Sequence, residues 1–203
     1  MHTSAMIRMK WFVDNYIPKD KHIRVFDIGS YNVNGCYRSL FNGFDCEYVG
    51  ADIESGPNVD IVLKQPYCWI DIKNESFDFV ISGNAFEHIE YPWLTMGQIK
   101  DKLKPGGYTC ILAPFNLSEH RYPKDCYRYY PDGMRALAEF VELTVIDVTT
   151  GGVPAGVDVK TWIPSLNYDD TVLIARKGSI SDEELEKLPK LEQQIRSNTI
   201  FKA

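Results

Sequence analysis

The chain has 203 residues, of which 44% are hydrophobic, and a formal net charge of -6 at pH 7. This hydrophobic content is enough to bury one sizeable core, so we expect a single globular domain rather than a disordered chain. The acidic balance leaves no broad basic surface, which argues against a nucleic-acid partner and favours a small-molecule one.

The cysteines and the hydropathy pattern exclude further classes. The five cysteines are spread along the chain and form no CxxC pair, which argues against a zinc site and a disulfide framework and fits a reducing cytoplasm. No metal site is predicted, although Asp125 and His120 together offer two possible ligands. No run reaches the roughly 18 apolar residues that a membrane-spanning helix needs.

The hydrophobic pattern predicts helices and strands in alternation. Residues 4–17 form an amphipathic helical pattern, and seven apolar runs of β type follow. Strands that alternate with helices predict an α/β fold, a largely parallel sheet with helices on both faces. A Gly- and Pro-rich loop without a helical pattern separates the last two runs, so we expect the last strand to return antiparallel. The runs are IRVFDIG, CEYVGADI, VDIVL, FDFVISG, YTCILAP, VELTVIDVTT and TVLIARKG.

The chain divides into a domain and a tail. We assign residues 1–178 to the domain and residues 179–203 to a charged helical tail, which opens with a Ser followed by acids, a helix-start pattern. A solvated terminal helix is favoured over a partner-binding one. The loop 151–170 carries Trp162 and Tyr168, which either cover a bound ligand or form a subunit contact, so a homodimer stays open.

The stretch RVFDIGSYNVNGCYRSLF, residues 24–41, predicts a strand, a tight turn and a helix. Gly29 allows a sharp turn after the strand, and Gly35 allows the backbone to approach a ligand. The second strand ends in Asp52, where a carboxylate can accept hydrogen bonds from ribose hydroxyls, and Ile53 offers an apolar face to an adenine. An ordinary strand-to-helix turn is the alternative, but it does not explain the register of Asp52 with the Gly loop.

Four motifs resemble, in order, those of the class I S-adenosylmethionine-dependent methyltransferases: VFDIGSYNVNG, YVGADI, FDFVISGNAFEHI and LKPGGYTCILAP. The resemblance covers about residues 20–177. It implies the Rossmann-like class I methyltransferase fold and S-adenosylmethionine as the cofactor, with Asp52 on the ribose and Asn84 to His88 beneath the sulfonium. The cofactor-binding residues that it implies are Asp27, Gly29, Ser30, Tyr31, Gly35, Asp52, Ile53, Asn84, Ala85 and Glu87.

The segment APFNLSEHRYPKDCYRYYPDG, residues 113–133, concentrates titratable and aromatic side chains directly after the fifth strand. We assign the acceptor site to this segment, with His120 as the candidate general base and His88 as the alternative. One arginine of the segment is expected to pair with Asp125 and fix the loop, while another holds an anionic group of the acceptor. The candidate substrate-binding residues are Arg121, Asp125, Tyr127 and Arg128.

The combination NVNG…GPNVDIV…QPY…FEHI…HRYPKDCYRYYPDG also resembles a methyltransferase subgroup that often accompanies bacterial surface-polysaccharide synthesis. This resemblance implies cytoplasmic O-methylation of a sugar, a nucleotide-linked sugar or a phosphate-bearing precursor. Two other classes stay open. An NAD-dependent oxidoreductase shares the acid after the second strand, but the GxGxxG spacing is missing. A non-catalytic module would bind S-adenosylmethionine and lose nothing measurable when His120 is replaced.

Overall fold

The computed structural model describes residues 3–150 and 169–191, which build one seven-stranded mixed sheet. The strands are β1 (Ile23–Ile28), β2 (Cys46–Asp52), β3 (Ile61–Val62), β4 (Phe77–Gly83), β5 (Leu103–Asn116), β6 (Leu143–Thr150) and β7 (Asp169–Lys177). They lie in the order β3-β2-β1-β4-β5-β7-β6, and β7 runs antiparallel to both neighbours. The predicted strands and the antiparallel return of the last one are confirmed.

The winding of the sheet reverses beside β1. This strand pairs in parallel with β2 on one side and with β4 on the other. In open α/β sheets the ligand lies beyond the carboxyl ends of the strands at such a switch point. The loops after β1, β2, β4 and β5 meet at this edge, which we call the ligand edge.

Helix α1 (Thr3–Tyr16) covers one face of the sheet, as the amphipathic pattern over residues 4–17 predicted. Its side chains Met9 and Phe12 are fully buried and pack with Phe79 of β4 in one hydrophobic cluster. The same helix carries a buried cation, Arg8. A helix that precedes the first strand therefore completes the core on this face.

Helices α2 (Pro92–Lys102) and α3 (Pro131–Phe140) cover the other face. Each has a proline in its first turn, where the missing N–H costs nothing because it has no partner within the helix. Helix α3 begins at Pro131 and consists of the residues PDGMRALAEF. Between β3 and β4, the buried indole of Trp69 packs edge-on against Phe26 and fills the same core.

The helix predicted after β1 is present, but it is short and of the 3₁₀ type. In place of an α-helix, the chain makes a five-residue 3₁₀ helix, Tyr37–Phe41. The loop uses residues 29–36 before the helix begins, and Asn42-Gly43 ends it, with Gly43 at φ +91°. The room left is too short for an α-helix, and α1 supplies the cover on that face instead.

The beginning of the tail packs on the domain. Helix α4 (Asp182–Lys187) starts with a capping box in which Ser181 accepts from the Glu184 N–H, which confirms the predicted helix start. Beyond it, Leu191 is fully buried and its N–H donates to Asp147 at 2.6 Å. Most of the loop 151–170, with Trp162 and Tyr168, lies outside the described residues. Within the described ranges, no helix has the length and apolar character to cross a membrane.

Candidate active site

The turn after β1 depends on Gly29. Its φ is +75°, and a Cβ at this position would lie 2.4 Å from the Cβ of Ala85 in the loop after β4. Its N–H and that of Ser30 both donate to the carbonyl of Ala51 at the end of β2, at 2.9 and 3.1 Å. One glycine thus brings the loops after β1, β2 and β4 together at the ligand edge.

Asp52 lies at the tip of β2, directly beside the loop after β1. Its carboxylate accepts from the Tyr31 N–H at 3.1 Å and from the Glu54 N–H at 3.2 Å, and Ile53 next to it is exposed. A carboxylate has about four lone-pair positions, so two remain for other donors. This arrangement fits ribose hydroxyls on Asp52 and an adenine against Ile53.

The remaining loop contacts hold this half of the site in place. Ser30 is buried and exchanges two hydrogen bonds with Asn58: its Oγ donates to the Asn58 carbonyl at 3.0 Å, and the Asn58 amide donates back at 2.9 Å. Gly35 has φ +133°, and its N–H donates to the Asn32 side chain at 2.8 Å. These hydrogen bonds hold the loop DIGSYNVNG in place. The loop lacks the GxGxxG glycine spacing of dinucleotide-binding proteins.

Replacement of Asp52 by Ala is expected to weaken S-adenosylhomocysteine binding by about 1.5–3 kcal/mol, the range for hydrogen bonds to a charged group. Calorimetric titration measures this difference directly. Asp60 is the matched control, because its carboxylate accepts from the Gly50 N–H and pairs with Arg38 instead of facing the ligand edge. An Asp52→Ala protein with unchanged affinity, or an equal loss in Asp60→Ala, would contradict the ribose assignment.

Asp27 is a buried acid at the base of the loop. Burial raises the pKa of its carboxyl to about 7, and the hydroxyl that Tyr48 donates to it opposes part of this rise. A carboxyl with this pKa is partly ionised at neutral pH, and a nearby cation would favour its charged form.

A buried polar network lies behind the loop after β4. Arg8 and Asp170 are 3.3 Å apart with side chains only 1% exposed, and the Asn84 amide donates to the same carboxylate at 2.9 Å. Among the described residues, none makes a hydrogen bond to the buried Asn84 Oδ1 or to the buried hydroxyl of Tyr37. These two oxygens and the Asp27 carboxyl are polar groups that suit the ammonium and sulfonium of S-adenosylmethionine.

Glu87 is the most deeply buried acid of this loop, with 1% of its side chain exposed. Burial raises the pKa of its carboxyl to about 8, and its Oε2 has no hydrogen-bond partner. Its carbonyl accepts from the N–H groups of Cys126 and Tyr127, at 2.7 and 3.2 Å. The loop after β4 is thereby joined to the segment 113–133.

His88 and His120 face each other across this junction, with ring centroids 4.9 Å apart, and Tyr122 packs edge-on against both. The Nδ1 of His88 lies at the carbonyl of Lys124, which can only accept, so Nδ1 carries the proton and Nε2 has a free lone pair. Burial lowers the pKa of His88, which favours the neutral form of this ring. The two candidate bases therefore belong to one site.

Arg128 braces the acceptor segment. It binds Asp125 through two nitrogens at 2.6 and 2.8 Å, and it also donates to the carbonyls of Leu117 and Ser118 at 2.9 Å. The paired guanidinium holds the pKa of Asp125 far below its usual range. The arginine expected to lock the loop is thus Arg128, whose donors are occupied. Arg121 is 73% exposed, and within the described ranges its one ion pair is with Glu119.

The tyrosines of the segment divide into two groups. Tyr129 is buried and donates to the Phe86 carbonyl at 3.1 Å, and Tyr127 donates to the Glu90 carbonyl at 2.9 Å. Tyr122 and Tyr130 are exposed at the surface. The first pair joins the loops after β4 and β5. Of the second pair, Tyr122 lies beside the histidines, whereas Tyr130 packs against Phe115.

Comparison with known proteins agrees with this geometry. A family model described as a methyltransferase domain matches residues 38–111, from the 3₁₀ helix to the middle of β5. Among curated proteins, none matches the sequence.

Solved structures share the fold at low identity. An S-adenosylmethionine-dependent methyltransferase from Archaeoglobus fulgidus is 19% identical with a TM-score of 0.58, covering 84% of this chain and 93% of that one. Burkholderia thailandensis 1,6-didemethyltoxoflavin-N1-methyltransferase is 17% identical with a TM-score of 0.60, covering 87% and 80%. Haemonchus contortus phosphoethanolamine N-methyltransferase 2 is also 17% identical, with a TM-score of 0.60. The match covers 85% of this chain but 53% of the Haemonchus protein, so this chain spans about half the length of that protein.

These likenesses confirm the predicted fold, the Rossmann-like fold of class I methyltransferases with its antiparallel last strand. The matched methyltransferase domain supports a methyltransferase enzyme. The similar structures from Haemonchus contortus and Burkholderia thailandensis hold S-adenosylmethionine and S-adenosylhomocysteine, which supports S-adenosylmethionine as the cofactor.

Proposed function

We propose that this methyltransferase O-methylates a sugar, a nucleotide-linked sugar or a phosphate-bearing small-molecule precursor of a bacterial surface polysaccharide. The observation that carries the proposal is the pair of imidazoles, His88 and His120, between the loops after β4 and β5. A hydroxyl must lose its proton to become a good nucleophile, whereas a neutral amine already has a free electron pair. A site with two imidazoles at its mouth therefore suits an oxygen acceptor.

S-Adenosylmethionine supplies a methyl group that its sulfonium already activates. We propose that His120 accepts the proton of the acceptor hydroxyl while the oxygen bonds to the methyl carbon, with Asp125, 3.9 Å from its Nδ1, stabilising the imidazolium. Proposed cofactor contacts come from the residues around Gly29, Asp52 and Asn84. Held in line with the methyl group, the acceptor reacts mainly through its positioning.

The surface around the histidines supports a carbohydrate or phosphate-bearing acceptor. Tyr122 is exposed and packs on both imidazoles, so its free face can stack on a sugar ring. Arg121 is exposed beside it and can pair with a phosphate, a role that the braced Arg128 is not free to take. The likeness to the polysaccharide-associated subgroup supports the same acceptor class, and the free cysteines support the proposed cytoplasmic location.

A methyl-transfer assay with isotopically labelled S-adenosylmethionine tests the proposal. We expect label on hydroxyl oxygens of nucleotide-linked or phosphorylated sugars, identified by mass spectrometry. Phosphoethanolamine belongs in the acceptor panel, because two of the similar structures are named N-methyltransferases. Label found only on nitrogen would contradict O-methylation, and cofactor binding without transfer to any acceptor would favour the non-catalytic module.

Replacement of His120 by Ala is expected to lower kcat by about 100-fold or more, because a positioned base typically contributes at least that factor. Affinity for S-adenosylhomocysteine should stay within error, since His120 lies on the acceptor side. His22→Ala is the matched control: this imidazole is exposed, pairs with Asp45 and precedes β1 at the opposite edge. A His120→Ala enzyme as fast as His22→Ala would move the base to His88 or remove it from the mechanism.

A further inference from the structure

Glu87, His88 and His120 form a cluster of metal-ligating side chains, which we call the ligand cluster. One ligand atom from each lies within 4.8 Å of the other two. We propose that the ligand cluster binds a divalent first-row transition ion such as Zn²⁺. This inference deepens the proposed function, because the same two histidines line the acceptor site. With the ion bound, His120 would be a ligand, and the ion instead of this imidazole would activate the acceptor hydroxyl.

The carboxylate of Glu87 lacks the partner that its burial requires. Only 1% of the side chain is exposed, and Oε2 makes no hydrogen bond to any described residue. Among the described residues, only His88 comes within ion-pair distance, at 3.7 Å from Oε1 to Nε2. The nearby cation Arg128 donates its hydrogen bonds to Asp125 and to backbone carbonyls instead. A buried carboxyl is costly to ionise unless a cation compensates its charge, and a bound ion would do so in place of the carboxyl proton.

Both histidines have a ring nitrogen available to bind a metal ion. His88 directs Nδ1–H at the Lys124 carbonyl, which leaves the Nε2 lone pair for a metal. Metal-binding histidines typically donate their second nitrogen to a carbonyl or carboxylate in this way. In the part of the chain that the structure describes, no group makes a hydrogen bond to the buried Nδ1 of His120, while Asp125 accepts from the His120 backbone N–H at 2.7 Å. Two loops thus hold both rings in place before any ion arrives.

The donor set selects the class of ion. Two imidazoles and one carboxylate match catalytic zinc sites and the facial sites of ferrous iron, whereas Mg²⁺ prefers oxygen ligands. Nitrogen and oxygen ligands lie about 2.0–2.2 Å from a zinc ion. Small side-chain rotations would therefore bring the three ligand atoms, now within 4.8 Å of one another, to the spacing that one ion needs. His88 and His120 are 14% and 32% exposed, so the remaining coordination positions face the proposed acceptor. An acceptor oxygen bound there would lose its proton more readily.

Calorimetric titration of untagged, EDTA-treated protein with Zn²⁺ tests the inference, with the absorption of a Co²⁺ complex as an independent readout. We expect one Zn²⁺ site in the unmodified protein. The Zn²⁺ affinity should fall by more than the roughly 10–100-fold that is typical when a residue supporting a ligand is changed. This larger loss is expected for each of three variants: Glu87→Gln, His88→Ala and His120→Ala. His22→Ala and Cys126→Ser are the controls and should bind as the unmodified protein does. Cys126 is included because its exposed thiol lies 3.8 Å from the His88 carbonyl.

The outcomes separate this inference from the proposed function. Equal Zn²⁺ binding in the cluster variants, loss of binding in Cys126→Ser, or equally tight Mg²⁺ binding would overturn the metal site. Circular dichroism of each variant checks that lost binding does not reflect lost folding. Zn²⁺ binding at the ligand cluster without transfer to any sugar supports the metal site and contradicts the acceptor proposal. Methyl transfer to a sugar by protein that binds no Zn²⁺ would support the acceptor proposal and contradict the metal site.

Discussion

Replacement of Arg8 by Met is expected to lower the free energy of unfolding by about 3–5 kcal/mol, the cost of removing one partner of a buried ion pair. The variant leaves Asp170 as a buried carboxylate that retains hydrogen bonds from Ser4 and Asn84, at 3.3 and 2.9 Å. Met fills most of the Arg side-chain volume, so a cavity adds little. Urea denaturation followed by circular dichroism measures the change.

Lys10→Met on the same helix is the matched control. Lys10 is exposed and pairs with Asp14 one turn away, a contact that typically contributes about 0.2–0.5 kcal/mol. Equal losses in the two variants would mean that the buried pair adds no more than a surface one. Because Asp170 holds Asn84, Arg8→Met should also weaken S-adenosylhomocysteine binding, whereas Lys10→Met should not.

Replacement of Gly29 by Ala is expected to cost about 2–5 kcal/mol. A left-handed conformation costs an L-residue about 1–2 kcal/mol, and overpacking adds about 1–3 kcal/mol. The overpacking arises because the new Cβ would lie 2.4 Å from the Cβ of Ala85. Cofactor affinity should fall as well, since relief of the contact separates the loops after β1 and β4. Denaturation and calorimetry of one preparation give both values.

Two further variants separate strain from collision. Gly43 has φ +91°, and the space that a Cβ would occupy there is open, so Gly43→Ala should show only the conformational cost. In the Gly29→Ala background, Ala85→Gly removes the opposing Cβ and should restore about 1–3 kcal/mol. If Gly29→Ala cost no more than Gly43→Ala, and Ala85→Gly restored nothing, the close contact would not constrain the loops.

The elements that depend on local pattern were readable from the sequence. Each apolar run became a strand, and the polar loop without helical periodicity before the last run correctly indicated that β7 returns antiparallel. The type of the helix after β1 could not be read from the sequence. The apolar residues Tyr37, Leu40 and Phe41 have a spacing that fits a 3₁₀ helix as well as the start of an α-helix. Only the tertiary cover by α1 decides between them.

Contacts between distant segments were not readable. Arg8 and Asp170 are 162 positions apart, and a basic residue in an amphipathic helix ordinarily faces solvent. The Arg128–Asp125 pair was partly foreseen, because three-residue spacing within one loop is a local signal. No metal site was expected, since no single segment carries a full set of ligands at metal-binding spacing. The ligand cluster instead combines the loop after β4 with the segment after β5.

The most direct test of the central claim, that Asp52 and the loop after β1 hold the cofactor, is calorimetric titration with S-adenosylhomocysteine. NAD serves as the parallel ligand, because its binding would indicate the oxidoreductase alternative. We expect micromolar binding of S-adenosylhomocysteine at one site, none of NAD, and a loss of about 1.5–3 kcal/mol in Asp52→Ala. Binding of NAD, or no binding of S-adenosylhomocysteine by folded protein, would contradict the account.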